Sequence, residues 1–222
     1  MKKLINITLT TILAFGMLGC SSSKPEAVTT VENFLTAITE GSLENSANYL
    51  SSDLSDAWVS SYDYFSSYAE SYTLTDETIA AEDEMVSYSL KASCTKFTLG
   101  DYTKESDTIY TVNATLEYVD TANADLEEYE SEIIDQYQLT DEMTEGLEDE
   151  EIVNLYLKNV ALYNTELFKY VIENGPTTTS EMTFTVEKED DAWVITNLST
   201  VADETTDSTE TAEPTASADS AN

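Results

Sequence analysis

The 222-residue chain sets 44 acidic residues against nine lysines, with no arginine and no histidine, for a formal net charge of −35. Such a charge repels nucleic acid and anionic lipid headgroups, and the missing residue types remove the histidine base, the histidine metal ligand and the bidentate arginine clamp. With 41% hydrophobic residues, the chain is long and apolar enough for one sizeable core.

At the N-terminus, Lys2 and Lys3 precede an uncharged, mostly apolar or threonine stretch from Leu4 to Leu18, the layout of a secretion signal. As a helix these residues would rise roughly 22 Å, short of the ~30 Å of a hydrocarbon core, so the stretch reads as a cleaved signal and not as a permanent span. The segment Met17-Leu18-Gly19-Cys20 resembles the lipobox of bacterial lipoproteins, with Met17 where leucine is commonest and Leu18 where a smaller residue is usual. The resemblance implies that signal peptidase recognises Met17, Leu18 and Gly19 and removes residues 1–19. It also implies that the Cys20 thiol carries a diacylglyceryl group, a membrane anchor that holds the protein outside the cell. Seven lysines and all 44 acids remain after Gly19, so the charge becomes −37. Residues 20–25, with Ser21-Ser22-Ser23, read as the lipidated tether. Cys94 is the only other cysteine, so a lipidated Cys20 leaves no internal disulfide.

An acidic α+β domain is expected over residues 26–201. Ser23 and Glu26 stand at capping-box spacing around Pro25, and Val28, Val31, Phe34, Leu35 and Ile38 then share one helical face before Gly41. Ser42 can cap a short second helix through Leu50. Leu54, Trp58, Tyr62, Phe65, Ala69 and Tyr72 predict a third at intervals of three and four. Val86, Tyr88, Leu90, Ala92 and Cys94 then alternate with polar residues, which predicts a strand holding Cys94 as a small buried thiol and not as a nucleophile. Parity slips at Phe97 and Leu99, implying a bulge near Thr95-Lys96, and Gly100 to Asp107 reads as a polar turn. Tyr110, Val112, Ala114, Leu116 and Tyr118 mark the second strand of an antiparallel hairpin.

Helical spacing returns over Leu126 to Tyr137 and over Ile152 to Val171, where Gly175-Pro176 ends it. Met182, Phe184 and Val186 predict a third strand, Glu189 to Asp191 a turn, and Trp193 with Ile195 a fourth strand. Residues 202–222 hold six acids, many Thr and Ser, and no lysine or aromatic, so they read as a disordered acidic tail.

At Val31-Glu32-Asn33-Phe34-Leu35-Thr36-Ala37-Ile38, Gly41-Ser42-Leu43, Asn48-Tyr49-Leu50 and Trp193-Val194-Ile195 the chain resembles small Gram-positive lipoproteins of the cystatin-like roll, within the broad nuclear-transport-factor-two-like superfamily. The resemblance implies N-terminal helices packed on a bent four-stranded antiparallel sheet. Together they form a cone, sometimes with a pocket at its open end. Residues 121–175 would be a helical insertion between the two hairpins. Enzymes of the superfamily use a buried Asp or His as base and Tyr or protonated Asp as oxyanion donors. With no histidine, such a site here needs a carboxylate beside one of the 14 tyrosines.

Two further groups of residues are candidates for chemistry. Asp141, Glu142, Glu145, Glu148, Asp149, Glu150 and Glu151 cluster around Gly146, but without the hand-type calcium ladder. Acids before a helix starting near Ile152 favour its N-terminal dipole, so weak divalent-cation binding is expected there and no structural metal or cofactor. Trp58, Tyr62 and Phe65 share a helical face and read as core, leaving Tyr64 and Tyr68 as the candidate ligand-binding surface. The sequence reads as a noncatalytic envelope lipoprotein whose acidic cystatin-like domain binds a ligand or an envelope protein. The alternative is a small-molecule isomerase or hydrolase using a carboxylate and a tyrosine in the cone.

Overall fold

The computed structural model describes residues 24–200, so the lipobox with Cys20, the capping candidate Ser23 and the Thr/Ser-rich tail lie outside the described residues. Helix α1 (Glu26–Thr39) buries Val28, Val31, Phe34, Leu35 and Ile38, the face set by its spacing, and Pro25 stands at its N-cap. The chain reverses at Gly41, where φ is +73° and a Cβ would lie within 2.5 Å of the Ser87 carbonyl oxygen, so glycine is required on both counts. Ser42 caps α2 (Leu43–Ala47) by accepting from the Asn45 amide. This helix stops short of Leu50, because Ile195 takes over the backbone bonding there: its N–H donates to the Tyr49 carbonyl, and its carbonyl accepts from Ser51.

The expected third helix is two. α3 (Ser52–Ser61) ends at Tyr62, and α4 (Ser66–Ala69) follows a turn. The break occurs where the Glu82 carboxylate accepts from the Phe65 amide at 2.8 Å and Phe65 enters a second core with Met85, Leu157 and Ala161.

The strand expected over residues 86–94 is instead the end of α5 (Asp76–Ser93), capped by Thr75, with Asp76 and Glu77 in its first turn. Val86, Leu90 and Cys94 are four residues apart, a spacing that satisfies both a two-residue and a helical period, so alternation alone did not separate the two. Strand β1 (Lys96–Lys104) runs through the stretch expected to be a polar turn, and the bulge lies between Leu99 and Tyr102, not near Thr95-Lys96. β2 (Ile109–Val119) pairs with it as the expected antiparallel hairpin.

Helices α6 (Glu127–Tyr137), α7 (Asp141–Thr144) and α8 (Asp149–Asn174) separate the two hairpins. α8 packs along α5 and brings a second, smaller core with it. β3 (Thr177–Glu189) and β4 (Ala192–Thr200) close the sheet through a turn in which Asp190 and Asp191 both take positive φ, as a two-residue type I′ hairpin requires.

The sheet is open and antiparallel in the order β1-β2-β3-β4, giving an α+β architecture consistent with a roll. Its main core lies where α1 and the end of α5 cover one face: Phe34, Leu35 and Leu90 pack with Val112, Phe184 and Ile195.

Candidate functional site

The core is not filled to the end of α1. A cavity of about 400 Å³ opens between α1, α3 and the far end of the sheet, which is the inside of the cone. Phe34, Leu35 and Ile38 form one wall because α1 turns this face to the sheet. Trp58 and Tyr62 come from α3 and its C-cap. The sheet supplies the opposite wall through strand alternation and register: Leu116 lies opposite Ser180, Met182 opposite Thr200, and Phe184 opposite Leu198.

An aromatic chain fixes the shape. Phe34 packs on Phe184 edge-on at 6.1 Å between ring centroids and against Trp58 at 5.7 Å, and Trp58 meets Tyr62 edge-on at 5.3 Å. The Trp58 indole N–H donates to the Ser46 hydroxyl at 2.9 Å, which uses its one polar atom and holds the ring against the cavity.

Besides the Trp58 N–H held by Ser46, the polar side-chain groups of the lining are the hydroxyls of Tyr62, Ser93, Tyr118, Ser180 and Thr200 and the thiol of Cys94; among the described residues no Asp, Glu or Lys lines this cavity. Burial pushes the Tyr62 hydroxyl above the ordinary tyrosine value, helped by Tyr64 and opposed by the Ser93 side chain beside it. Burial likewise pushes the Cys94 thiol up to about 11, although its S–H donates to the Lys96 carbonyl at 3.6 Å. A thiol held neutral in this way is the small buried group expected from the sequence, here part of a cavity wall, and a poor nucleophile near neutral pH.

The carboxylates nearest this region lie on the other side of Tyr62. Glu44, Asp63, Glu82 and Asp83 line a separate recess of about 440 Å³, to which Tyr62 also contributes. Burial raises the carboxyl groups of Glu82 and Asp83 above their ordinary values. For Glu82 the Phe65 amide pulls the other way and the Asp63 charge adds to the rise. Among the described residues, the apolar cavity therefore has no carboxylate in its lining beside Tyr62 or Tyr118.

Of the residues singled out from the sequence, Trp58 and Tyr62 line the cone, whereas Phe65 is buried in the second core. Tyr64 and Tyr68 are exposed, at 46% and 38%, and neither lines the cone. Tyr64 sits edge-on to Tyr62 and borders a small apolar recess with Phe65, Met85 and Phe168. Sequence reasoning missed the strand-end contributors Ser180, Leu198 and Thr200. The even-numbered parity of Met182, Phe184 and Val186 extends back to Ser180, so one of these three was legible in the sequence, whereas Leu198 and Thr200 lie past the register shift of β4.

The acidic run serves local structure. Glu148 and Glu151 form a reciprocal capping box at the start of α8, and Asp149 and Glu150 occupy its first turn. Among the described residues, no group of three or more acidic or cysteine side chains could hold a metal ion, and no helix is long and apolar enough to cross a membrane. No family model matches the chain, and neither the curated proteins nor the solved structures include a significant match to it.

Proposed function

We propose that this protein is a noncatalytic lipoprotein of a Gram-positive cell envelope, held at the outer face of the membrane by a diacylglyceryl group on Cys20, whose cystatin-like domain binds a small apolar ligand in its cone. The observation that carries the reading is the 400 Å³ cavity, walled by aromatic and aliphatic side chains with a few hydroxyls and, among the described residues, no charge. Pockets of this size and lining release water from apolar surface when filled, and the few polar atoms orient what enters. The lipid anchor complements it, because a domain with this excess of acids has no electrostatic hold on an anionic membrane. Lys24 precedes α1 at the end opposite Ile38, so the tether and the cavity belong to opposite ends of that helix.

Titration of the full chain carrying Cys20→Ser with the two-ring probe 1-naphthylamine, uncharged at pH 7 and small enough for the cavity, tests it. Saturable one-to-one enhancement of probe fluorescence is expected, and Ser180→Trp, which projects an indole into the cavity, should abolish it while the cooperative thermal melt is retained. Absence of saturable binding, or binding indifferent to Ser180→Trp, would overturn the reading. Fractionation of cells tests the anchor: the wild-type chain should sediment with membranes and the Cys20→Ser chain should not.

A further inference from the structure

We infer that the ligand of the cone is an uncharged amphiphile of about a dozen heavy atoms, an apolar body carrying one hydroxyl-type head seated between Tyr62 and Ser93. The inference rests on the reading of the cone as a binding cavity and adds to it the ligand's size, charge and head group.

Size follows from the volume. A water takes roughly 30 Å³ of liquid, so 400 Å³ holds on the order of 13 atoms of that size. That is a chain of ten or eleven atoms or a compact two-ring body, and the aromatic arc of Phe34, Trp58 and Tyr62 presents faces and edges to either.

Charge follows from what is missing from the lining and what lies behind it. Among the described residues no lysine lines the cavity, and Tyr62 also borders a recess of four carboxylates, so an anionic head would lose its hydration without a cationic partner and meet repulsion. A cationic head would also lose hydration, because among the described residues no carboxylate lines the cavity to pair with it. An uncharged head avoids both penalties.

The head group follows from the hydroxyl inventory. Ser93 Oγ already donates to the Leu90 carbonyl at 2.7 Å, which leaves its lone pairs to accept. Tyr62 lines the same cavity with its hydroxyl close to the Ser93 side chain, and a phenol O–H is a donor. A donor and an acceptor side by side complement a hydroxyl, which both donates and accepts.

Displacement of bound 1-naphthylamine, a two-ring body of the inferred size, from the full chain carrying Cys20→Ser, at pH 7, by n-decanol, decylamine and decanoate tests the inference. The three share an apolar chain and differ in head charge. Decanol is expected to displace the probe at a concentration at least tenfold below either charged analogue, and Tyr62→Phe should shrink that advantage at least threefold. Equal displacement by all three, no displacement by any of them, or a decanol advantage unmoved by Tyr62→Phe would overturn the inference while leaving the cavity as a binding site. Failure of the probe itself to bind would instead remove the reading beneath it.

Discussion

Cys94 shows how a single residue reports on its surroundings. Only 1% exposed, at the C-cap of α5 and on the wall of the cone, it titrates near 11 because the thiolate would lose its hydration. Its raised value ties stability to alkaline pH. Below the ordinary thiol range both folded and unfolded chains hold the proton. Between that range and about 11 only the folded chain does, so the folded state loses stability as pH rises through the window, by up to roughly 3 kcal/mol. Urea unfolding of wild type and Cys94→Ala at pH 8 and pH 10.5 should show a smaller alkaline loss in the variant. An identical loss in both would mean that the thiol is not held neutral by the fold. The residue's character was legible from its small apolar neighbours in the sequence, whereas its place on a cavity wall depended on where α5 meets β1.

At the scale of elements, the junction between α5 and α8 is the part of the fold the sequence concealed most. The start of α5 is tied to α8 through Asn154, which is 7% exposed. Its side-chain oxygen accepts from the Thr75 amide at 2.8 Å and the Thr78 hydroxyl at 2.9 Å, and its amide donates to the carbonyls of Thr73 and Glu150. Every polar atom of the side chain is therefore used, and three of its four partners lie 76 to 81 positions away in the chain. Replacing Asn154 by alanine strands the Thr75 N–H and the Thr73 carbonyl, and is expected to lower unfolding stability by about 2–4 kcal/mol without changing the dependence on urea. A loss under about 1 kcal/mol would show that water replaces the clamp. In the sequence, Asn154 is one polar residue on an amphipathic helix, and Thr75 precedes a window rich in acids. Nothing in either pattern points to the other. The same window holds the helix start Thr75-Asp76-Glu77, which the strand expectation, built on the alternation at the far end of α5, left out.

For the whole molecule the governing quantity is charge. The ion pairs among the described residues, such as Lys158 with Glu77 and Lys169 with Glu84, join side chains that are about a third exposed or more, so each contributes little and most acids have no cationic partner. Self-repulsion then opposes the compact state, and screening relieves it. The thermal midpoint is expected to rise by several degrees between 10 mM and 500 mM sodium chloride, with millimolar calcium giving a comparable rise at far lower ionic strength. An unchanged midpoint across the three conditions would mean that repulsion has no part in setting stability. By itself the sequence determined the α+β class, the amphipathic face of α1, the closing hairpin and the long helix α8, because each is written in a local period whose apolar face must be buried against something. Only the tertiary structure decided that residues 86–93 finish a helix, that the aromatic run breaks after Ser61, and that Ser180, Leu198 and Thr200 join Phe34 and Trp58 around a cavity. Those outcomes depend on register and on contacts between distant segments, where a spacing of four fits helix and strand alike and packing chooses between them.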